Sequence, residues 1–438
     1  MKRTAKAALF AKIVTFSVQI YSVPLTLNYL GSGLYGLWMA IFSIIGFMQL
    51  SELGIGSALI GFIAEKRVTH SNDELYQCIK KVVSFFLLFS SVMFLAIYFV
   101  IKFLNISKIF NSGELVQNSE LEICLLIFFF FSCINLPLSL SQQIRLGFQE
   151  GHISSFFNAF GQLLNLGFLM KAVSMNLPLA GLIAASMAGS VLANLLNLLF
   201  LLKRKQPKSL LPSNPADVSI NSLLKRGTGF FILQLAALLA YQIDQLLIFH
   251  YLSPVHVTEY SVTLKYFSFL PIFLSFFLTG LWPAYSDALA KRDKDWIIKT
   301  FWKSLSISLK ISFTCGIIMY FFSDWSIGIW TSNKVRPERM LVLGLFIFNL
   351  LTALGGNMTV LLNGLNELKF QIFTSLASAS LNLALSIFLV KKIGLSGPIW
   401  GSVIASCVFN LFTLFFIRSK LNGLKNESKR LQQGEERN

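Results

Sequence analysis

Long apolar segments separated by short polar connections run along the whole of this 438-residue chain. A helix that spans a bilayer needs about 20 largely apolar residues, and a window of that length predicts twelve spanning helices. In the second and eighth segments, Gly54, Gly56, Pro271 and Pro283 lie where a helix can bend. The predicted segments are 8–30, 36–63, 81–104, 121–145, 153–171, 178–202, 227–252, 259–289, 301–323, 340–364, 370–390 and 396–418.

Composition supports the membrane-protein class and changes the interpretation of the net charge. Apolar residues make up 55% of the chain and charged residues only 13%, against about 25% charged in a soluble domain. The net charge of +17 would suggest nucleic acid in a soluble protein. With the N-terminus inside, 26 of the 37 Lys and Arg residues fall on the cytoplasmic side and 8 outside. The positive-inside rule therefore predicts two cytoplasmic termini and no nucleic-acid partner.

The connection at the middle of the chain divides the predicted helices into two groups of six. It is polar and contains proline, as is typical of a linker. We therefore predict an all-α membrane protein of about 12 transmembrane helices in two six-helix lobes. The predicted parts are an N-terminal lobe at 1–203, a cytoplasmic linker at 204–226, a C-terminal lobe at 227–420 and a cytoplasmic tail at 421–438.

The two predicted lobes resemble each other in sequence. A shift of 217 residues brings "GFQE" (147–150) onto "GLNE" (364–367) and "LNL" (164–166) onto "LNL" (381–383). Near the start of each lobe the shift is about 222, where "NYLG" (28–31) meets "HYLS" (250–253). Six helices of equal orientation in each half indicate an internal parallel repeat, and such repeats in transporters point to the substrate site.

Polar residues recur at helical spacing within several predicted spans. Polar groups inside a membrane are costly and face the protein interior or a water-filled cavity. Hydrogen bonding between packed helices is the alternative explanation, and we favour it for Ser and Thr. The stripes are Lys12, Thr15, Gln19, Ser22 and Thr26; Asn158, Gln162 and Asn165; Gln234, Tyr241, Asp244 and Gln245; and Gln371, Ser375, Ser378 and Asn382.

Two stretches resemble a known family. "YLGSGLYGLWMAIFSIIGFMQLSELGIGSALIGFIAEKR" (29–67) resembles the start of polysaccharide transporters, and of O-antigen flippases in particular, within the multidrug/oligosaccharidyl-lipid/polysaccharide exporter superfamily. "QIDQLLIFHYLSPVHVTEYSV" (242–262) resembles a second pattern of that family. This chain has Glu52 where Asp is more usual, and His250 and Glu259 where glycines are usual.

The resemblance implies movement of an undecaprenyl-pyrophosphate-linked oligosaccharide from the cytoplasmic to the periplasmic leaflet of a bacterial inner membrane. Membrane lipid, and a polymerase and chain-length proteins of the same pathway, are the further partners it implies. Such a substrate needs a polar, cationic cavity. The candidates for its pyrophosphate are Lys12, Arg145 and Lys265, and those for sugar hydroxyls are Gln19, Asn158, Gln162, Asn165, Tyr241 and Asn382.

Asp244 and Glu52 are candidates for a coupling ion. Asp244 lies in an otherwise apolar run, and a charge in mid-membrane costs about 2.5–3.5 kcal/mol on insertion scales. It has two possible roles, a proton or cation site that resets the cavity and an ion-pair partner for a basic group such as Lys265. The sequence does not decide between them.

Two other function classes are weighed against the flippase. A cation-coupled multidrug exporter shares the implied fold and differs only in substrate. A membrane glycan polymerase, the enzyme alternative, needs a sizeable outer loop with catalytic groups, whereas the predicted outer loops at about 105–120 and 324–339 are short. The five cysteines form no CxxC pair and the four histidines no HxxxH pattern, so no metal or other cofactor is expected.

Overall fold

The computed structural model shows a helical protein, and the part of the chain that it describes contains no strand. Helices are expected here because a bilayer offers no water to the backbone, so each spanning segment must satisfy its own N–H and C=O groups. The structure describes residues 2–66, 72–103, 116–203, 227–229, 231–232, 234–236, 238, 242–278, 280–291 and 293–435.

The first half of the chain begins with a kinked helix that contains the first predicted span and the start of the second. The kink lies at Gly31, whose φ of 73° and ψ of 172° are not helical. The helices of this half are α1 (Lys2–Ser43), α2 (Ile45–Leu50), α3 (Ile55–Lys66), α4 (Asn72–Phe103), α5 (Asn118–Gly147), α6 (Gly151–Ser174) and α7 (Leu179–Leu202).

The second predicted span is broken between α2 and α3, as its glycines predicted. Leu53 and Gly54 have φ angles of 51° and 69°, a left-handed conformation that glycine adopts at little cost. Gly54 is also pressed against the backbone at the start of the seventh predicted span. A Cβ on Gly54 would lie 2.2 Å from the Gly227 carbonyl oxygen, so the break needs glycine for its conformation and for space.

The second half contains a more strongly broken span, again near the predicted residues. Pro271 cannot donate to the carbonyl of Phe267, and Phe267 is the last residue of its helix. The helices of this half are α8 (Ile243–Tyr251), α9 (Pro254–Phe267), α10 (Phe269–Leu278), α11 (Leu281–Ala290), α12 (Lys294–Phe321), α13 (Ser323–Trp330), α14 (Arg339–Gly364), α15 (Leu368–Ile393) and α16 (Gly397–Glu435), with a short 3₁₀ turn at Gly394–Ser396.

The last helix continues past the predicted end of the twelfth span. We expected that span to end near residue 418, with a solvated tail after it, but α16 continues to Glu435. The tail residues are mostly Lys, Glu, Arg, Gln and Leu with no proline. These residues favour helix when no breaker intervenes, so a polar tail can extend a spanning helix beyond the membrane.

The predicted repeat is visible in the backbone at its turns. Gln149 and Asn366, which are 217 residues apart, have φ angles of 61° and 60°. The residue after each of them donates its N–H to the carbonyl five residues earlier, at 2.8 Å for Glu150 and 2.9 Å for Glu367. At a shift of 218, Asn176 and Gly394 have φ angles of 54° and 67°. Helix ends therefore recur with the sequence.

The predicted fold class, with its two related sets of helices, is confirmed. Among the described residues, eight helices are long and apolar enough to cross a membrane. One of these, Leu368–Asn422, takes in two predicted spans, and Ala7–Met48 takes in the first predicted span and the start of the second. The second, seventh and eighth predicted spans are missing from that set because they are broken or run over undescribed residues.

The chain forms two compact units. The first is Met1–Leu238 with Ser253–Thr258 and Trp330–Lys334; the second is Leu239–Leu252, Glu259–Ile329 and Val335–Asn438. In the first, α6 packs on α1 and α7, and α5 packs on α7. In the second, α15 packs on α16, and α14 packs on α12 and α16. The predicted linker 204–226 lies outside the described residues, so the predicted lobe boundaries stay a prediction.

Candidate functional site

The polar stripe of α1 lies on a different side of the helix from its lipid-facing residues. Phe10, Ile13 and Tyr21 are exposed, as apolar side chains facing lipid would be. Lys12 and Gln19 are half-buried and lie away from that side, because residues seven apart share a helix face. The α1 stripe therefore belongs to the protein side of the helix, in the unit where α1 packs on α6.

The polar stripe of α6 also lies away from lipid. Phe156 and Leu163 are exposed apolar residues seven positions apart on one face. Asn158, Gln162 and Asn165 occupy the opposite face at spacings of four and three residues. The stripe predicted from the sequence is thus placed on the protein side of α6.

The hydroxyl groups of the α1 stripe are satisfied within their own helix. Thr15 and Thr26 each donate to the carbonyl four residues earlier, at 2.9 and 2.7 Å. Ser22 donates to the carbonyl of Gln19 at 3.4 Å. These bonds lie within α1, whereas hydrogen bonds between packed helices were the role that we favoured for Ser and Thr from the sequence. Lys12 and Gln19 remain the binding candidates of this stripe.

Two of the candidate amides hold helices together. Asn165 donates to Ser190 Oγ at 2.7 Å and accepts the Ser190 backbone N–H at 3.0 Å, which joins α6 to α7. Asn382 Oδ1 accepts hydrogen bonds from Ser386 at 2.9 Å and from Ser402 of α16 at 3.2 Å. Both amides therefore have the packing role that interhelical polar groups commonly have in membranes.

Three candidate amides keep their hydrogen-bonding capacity. The side chains of Gln19, Asn158 and Gln162 form no hydrogen bond within the described part of the chain. Asn158 is exposed, and the two glutamines are half-buried. A side-chain amide that faces the protein side of a span without a protein partner needs water or a polar ligand. These three residues are the strongest candidates for contact with sugar hydroxyls.

The lysine candidates are half-buried and the tyrosine candidate cannot be placed. Lys12 lies in α1 and Lys265 lies near the end of α9. Each engages neighbouring groups in the structure. Tyr241 lies outside the described residues. The roles predicted for these three residues stay predictions.

Arg145 is buried in a network rather than open to a ligand. Its side chain is 1% exposed and its guanidinium contacts Glu150 Oε2 at 2.8 Å. Its Nε–H donates to Asn197 Oδ1, and the Asn197 side chain in turn donates to Ser141 at 3.0 Å. The network joins α5, α7 and the start of α6. In this conformation Arg145 positions helices, and its predicted contact with pyrophosphate stays a prediction.

The "SELGIGSAL" motif is explained by the break between α2 and α3. Glu52 Oε1 accepts a hydrogen bond from Ser139 at 3.4 Å. A Cβ on Gly56 would lie 2.7 Å from Glu52 Oε2, so glycine there leaves room for the carboxylate. The carboxylate thus sits beside the first turn of α3, where a helix favours negative charge. This structural role stands beside the coupling role predicted for Glu52.

Asp244 is buried beside a tyrosine. The residue is 4% exposed and Tyr260 is 1% exposed. The Tyr260 hydroxyl donates to Asp244 Oδ2 at 2.7 Å, and within the described part of the chain Oδ1 is buried without a hydrogen-bond partner. Both roles considered for Asp244, a coupling site and an ion-pair partner of a basic group such as Lys265, stay predictions.

Sequence reasoning did not single out Asn197 and Tyr260. Asn197 lies three residues after Asn194, and both lie on the protein face of α7. Asn194 accepts from Gln142 at 2.7 Å and donates to Asn135 at 2.9 Å. Pairs of asparagines at helical spacing were the available signal. Tyr260 lies within the second family-like stretch, but nothing in the sequence indicated its partner.

The geometry can now be compared with known proteins. A family model described as "Polysaccharide biosynthesis protein" matches residues 5–289. The chain belongs to this family. A second model, MatE, matches residues 231–388. The predicted relationship to the polysaccharide transporters is thereby confirmed.

The alignments with similar proteins cover most of this member of the polysaccharide biosynthesis family. It is 22% identical over 341 residues to an O-antigen export protein of Yersinia pseudotuberculosis, which is 75% of each chain. An inward-facing multidrug resistance MATE transporter of the MOP superfamily has a TM-score of 0.75 at 14% identity, covering 95% of this chain and 99% of the other. The lipid II flippase MurJ has a TM-score of 0.71 at 15% identity, covering 95% and 88%. The structural likenesses show a shared fold.

Proposed function

We propose that this protein is a flippase for undecaprenyl-pyrophosphate-linked O-antigen repeat units. It moves them from the cytoplasmic to the periplasmic leaflet of the bacterial inner membrane by alternating access, with both termini cytoplasmic. The observation that carries the proposal is the set of side-chain amides of Gln19, Asn158 and Gln162, which form no hydrogen bond within the described part of the chain. They lie on the protein side of helices that cross the membrane.

Amides suit a glycan better than they suit a hydrophobic drug. Each offers a carbonyl acceptor and an NH₂ donor, which match the hydroxyl groups of a sugar. A drug-binding pocket is lined mostly by apolar and aromatic groups with few polar ones. The curated relative named for O-antigen export agrees with this reading. Transport rather than catalysis is the activity of the proposed class.

Lys12 is the proposed contact for the pyrophosphate. It lies on the same stripe as Gln19, seven residues earlier in α1, so an anionic group and the first sugar could be bound by one helix face. A lysine ammonium is a compact point charge that binds phosphate in many proteins. We propose Lys265 as a second cationic contact and retain Arg145 only for a conformation in which its buried network opens.

Asp244 is the proposed coupling site. Its buried carboxylate has one oxygen bonded to Tyr260 and one that has no hydrogen-bond partner among the described residues. Binding of a proton or small cation would remove the cost of a buried charge, and that energy can drive a change of conformation. Glu52 is the second proposed coupling residue, although its contact with Ser139 also fits a purely structural role.

The test is complementation of a strain that lacks the protein. We expect the deletion strain to display no O-antigen and the parent protein to restore it. Each of Gln19→Ala, Asn158→Ala and Gln162→Ala removes about one hydrogen bond, which corresponds to a transport rate about 2- to 13-fold lower. The matched control is Asn118→Ala, an exposed amide at the start of α5, which should restore O-antigen fully.

Protein level and melting temperature must be measured on the same variants. If the three amide variants transport as well as the parent, the amides do not bind the glycan. If the deletion strain keeps its O-antigen, the flippase proposal is wrong. Lys12→Gln should reduce O-antigen strongly, whereas Lys310→Gln, which changes an exposed lysine inside α12, should not.

A multidrug exporter is the second candidate because the MatE model matches residues 231–388. It predicts the opposite phenotype. The deletion strain would become drug-sensitive and its surface polysaccharide would stay normal.

A further inference from the structure

Proline frees a carbonyl in the middle of α1. Pro24 lies inside this helix and has no N–H, so the carbonyl of Ile20, four residues earlier, has no donor within the helix. The indole N–H of Trp330 donates to this carbonyl at 2.9 Å. Trp330 comes from the end of α13, 310 residues further along the chain, so a distant side chain satisfies the bond that proline removes.

The kink at Gly31 provides a second acceptor on the same helix. The last turn of a helix leaves carbonyls without regular donors, and Asn28 lies in the turn before the kink. The Lys334 ammonium donates to the Asn28 carbonyl at 3.1 Å. Beyond the kink, the Thr258 hydroxyl donates to the Ser32 carbonyl. The two irregular points of α1 are thus bonded by side chains of later segments.

The backbones approach closely where these bonds form. A Cβ built on Gly36 would lie 1.7 Å from the Pro254 carbonyl oxygen, so only glycine allows this contact. Segments 253–258 and 330–334 belong to the same compact unit as α1. The side chain of Thr331, between the two donors, is fully buried. Residues 330–334 therefore belong to the same unit as α1, are hydrogen-bonded to it at both ends and include a fully buried residue.

The bonds have the strength of a releasable contact. The bond from the neutral Trp330 indole to a backbone carbonyl shifts an equilibrium by about 2- to 13-fold. A kinked helix keeps its remaining bonds when such a donor leaves, and water can replace the donor. In a helix without proline the Ile20 carbonyl would accept an internal N–H as well, so Trp330 would share its acceptor.

We propose that the side chains of Trp330 and Lys334 form a latch. Pro24 and Gly31 provide its acceptors, because they leave backbone carbonyls of α1 available to these two donors. The latch holds residues 330–334 on α1 in the conformation described and is released in each transport cycle. This role in a cycle rests on the proposed function, whereas the latch itself is a property of the protein without substrate.

Labelling of a buried cysteine tests the latch directly. In purified protein carrying Thr331→Cys, a maleimide can react with the cysteine at position 331 only after residues 330–334 detach from α1. Peptide mass spectrometry distinguishes labelling at this position from labelling of the native cysteines. We expect Trp330→Phe, which keeps an aromatic ring and loses the N–H, to raise the labelling rate about 2- to 13-fold. Lys334→Met should act in the same direction. Trp325→Phe, in the same helix with an exposed indole, is the matched control and should leave the rate unchanged.

Pro24→Ala separates this mechanism from a loss of packing. It returns an N–H to α1, so the Ile20 carbonyl gains an internal donor and Trp330 must share its acceptor. The rate should rise in Pro24→Ala, and adding Trp330→Phe should then have a smaller effect than it has in the parent. The latch is refuted by unchanged rates in both Trp330→Phe and Lys334→Met, or by a full additional effect of Trp330→Phe in the Pro24→Ala protein.

The two proposals fail in different assays. Labelling needs no substrate, so it reports on the latch even if the flippase proposal is wrong. Retained O-antigen in the deletion strain would overturn the function and leave the latch standing. If Trp330→Phe and Lys334→Met are labelled at the rate of the parent, the latch proposal is wrong and the flippase proposal is unaffected.

Discussion

Replacing Arg145 by Met tests whether this arginine holds the fold or binds the substrate. The guanidinium donates to Asn197 and to the Glu150 carboxylate at 2.8 Å, and the side chain is 1% exposed. Two rings also contact it, with the guanidinium carbon 5.9 Å from the centre of Phe157 and 5.5 Å from that of Phe200. Methionine keeps the apolar stem and removes every one of the polar bonds.

The expected cost follows from these contacts. A hydrogen bond that involves a charged group contributes about 1.5–3 kcal/mol, and the bonds to the Asn197 side chain, the Asn197 carbonyl and Glu150 are lost. Breaking a buried ion pair by removing one partner costs about 3–5 kcal/mol. The Glu150 side chain is 15% exposed, so water can reach the carboxylate in part. We therefore expect about 3 kcal/mol of destabilisation.

The assay is unfolding of the purified protein in detergent, followed by size-exclusion chromatography of heated samples. Glu150→Gln should cost less than Arg145→Met, because it keeps a polar partner for the guanidinium. The destabilisation of the double variant should be smaller than the sum of the destabilisations of the two single variants. Arg418→Met, which changes an exposed arginine in α16, is the control and should melt as the parent does. If Arg145→Met melts with the parent and still loses O-antigen, Arg145 is a ligand for pyrophosphate and the structural argument is wrong.

Three further outcomes are expected. Gly189→Ala should destabilise the protein by about 1–3 kcal/mol, because its Cβ would lie 2.4 Å from the Asn165 backbone nitrogen; thermal unfolding measures this, and an unchanged melting temperature contradicts it. Asn165→Ala should lower the melting temperature, and any loss of O-antigen should be explained by that loss of stability, because this amide joins two helices. A variant that melts with the parent and loses transport would instead identify Asn165 as a glycan ligand. Asp244→Asn should leave a stable protein that displays little O-antigen, because an amide cannot take up a proton or pair with a cation; full transport in complementation would rule out a coupling role.

The sequence predicted the elements of the fold with useful accuracy. Gly54 and Pro271 marked real breaks because glycine and proline act through the backbone of their own segment. The "GFQE" and "GLNE" pair predicted equivalent turns for the same reason, and Gln149 and Asn366 have nearly equal φ angles. The sequence did not predict the end of α16 at Glu435, because hydropathy measures where a membrane span ends and not where a helix ends.

The site was predicted at the level of stripes and not of single residues. Helical spacing placed Gln162 and Asn165 on one face. Only the packing shows that the Asn165 amide is hydrogen-bonded to Ser190, whereas the Gln162 amide forms no hydrogen bond within the described residues. The same limit applies to Arg145, whose partner Asn197 is 52 residues away.

Hydrophobicity, helical period and the chemistry of glycine and proline are local, so the sequence alone determined the membrane class, the helices, their breaks and their protein-facing stripes. Which polar groups are already bonded depends on contacts between helices far apart in the chain. Burial and distance decide there, and they assigned Arg145 to a network, Asp244 to Tyr260 and the free carbonyl of Ile20 to Trp330. Tertiary structure is needed because a buried polar group acquires its role from its partner.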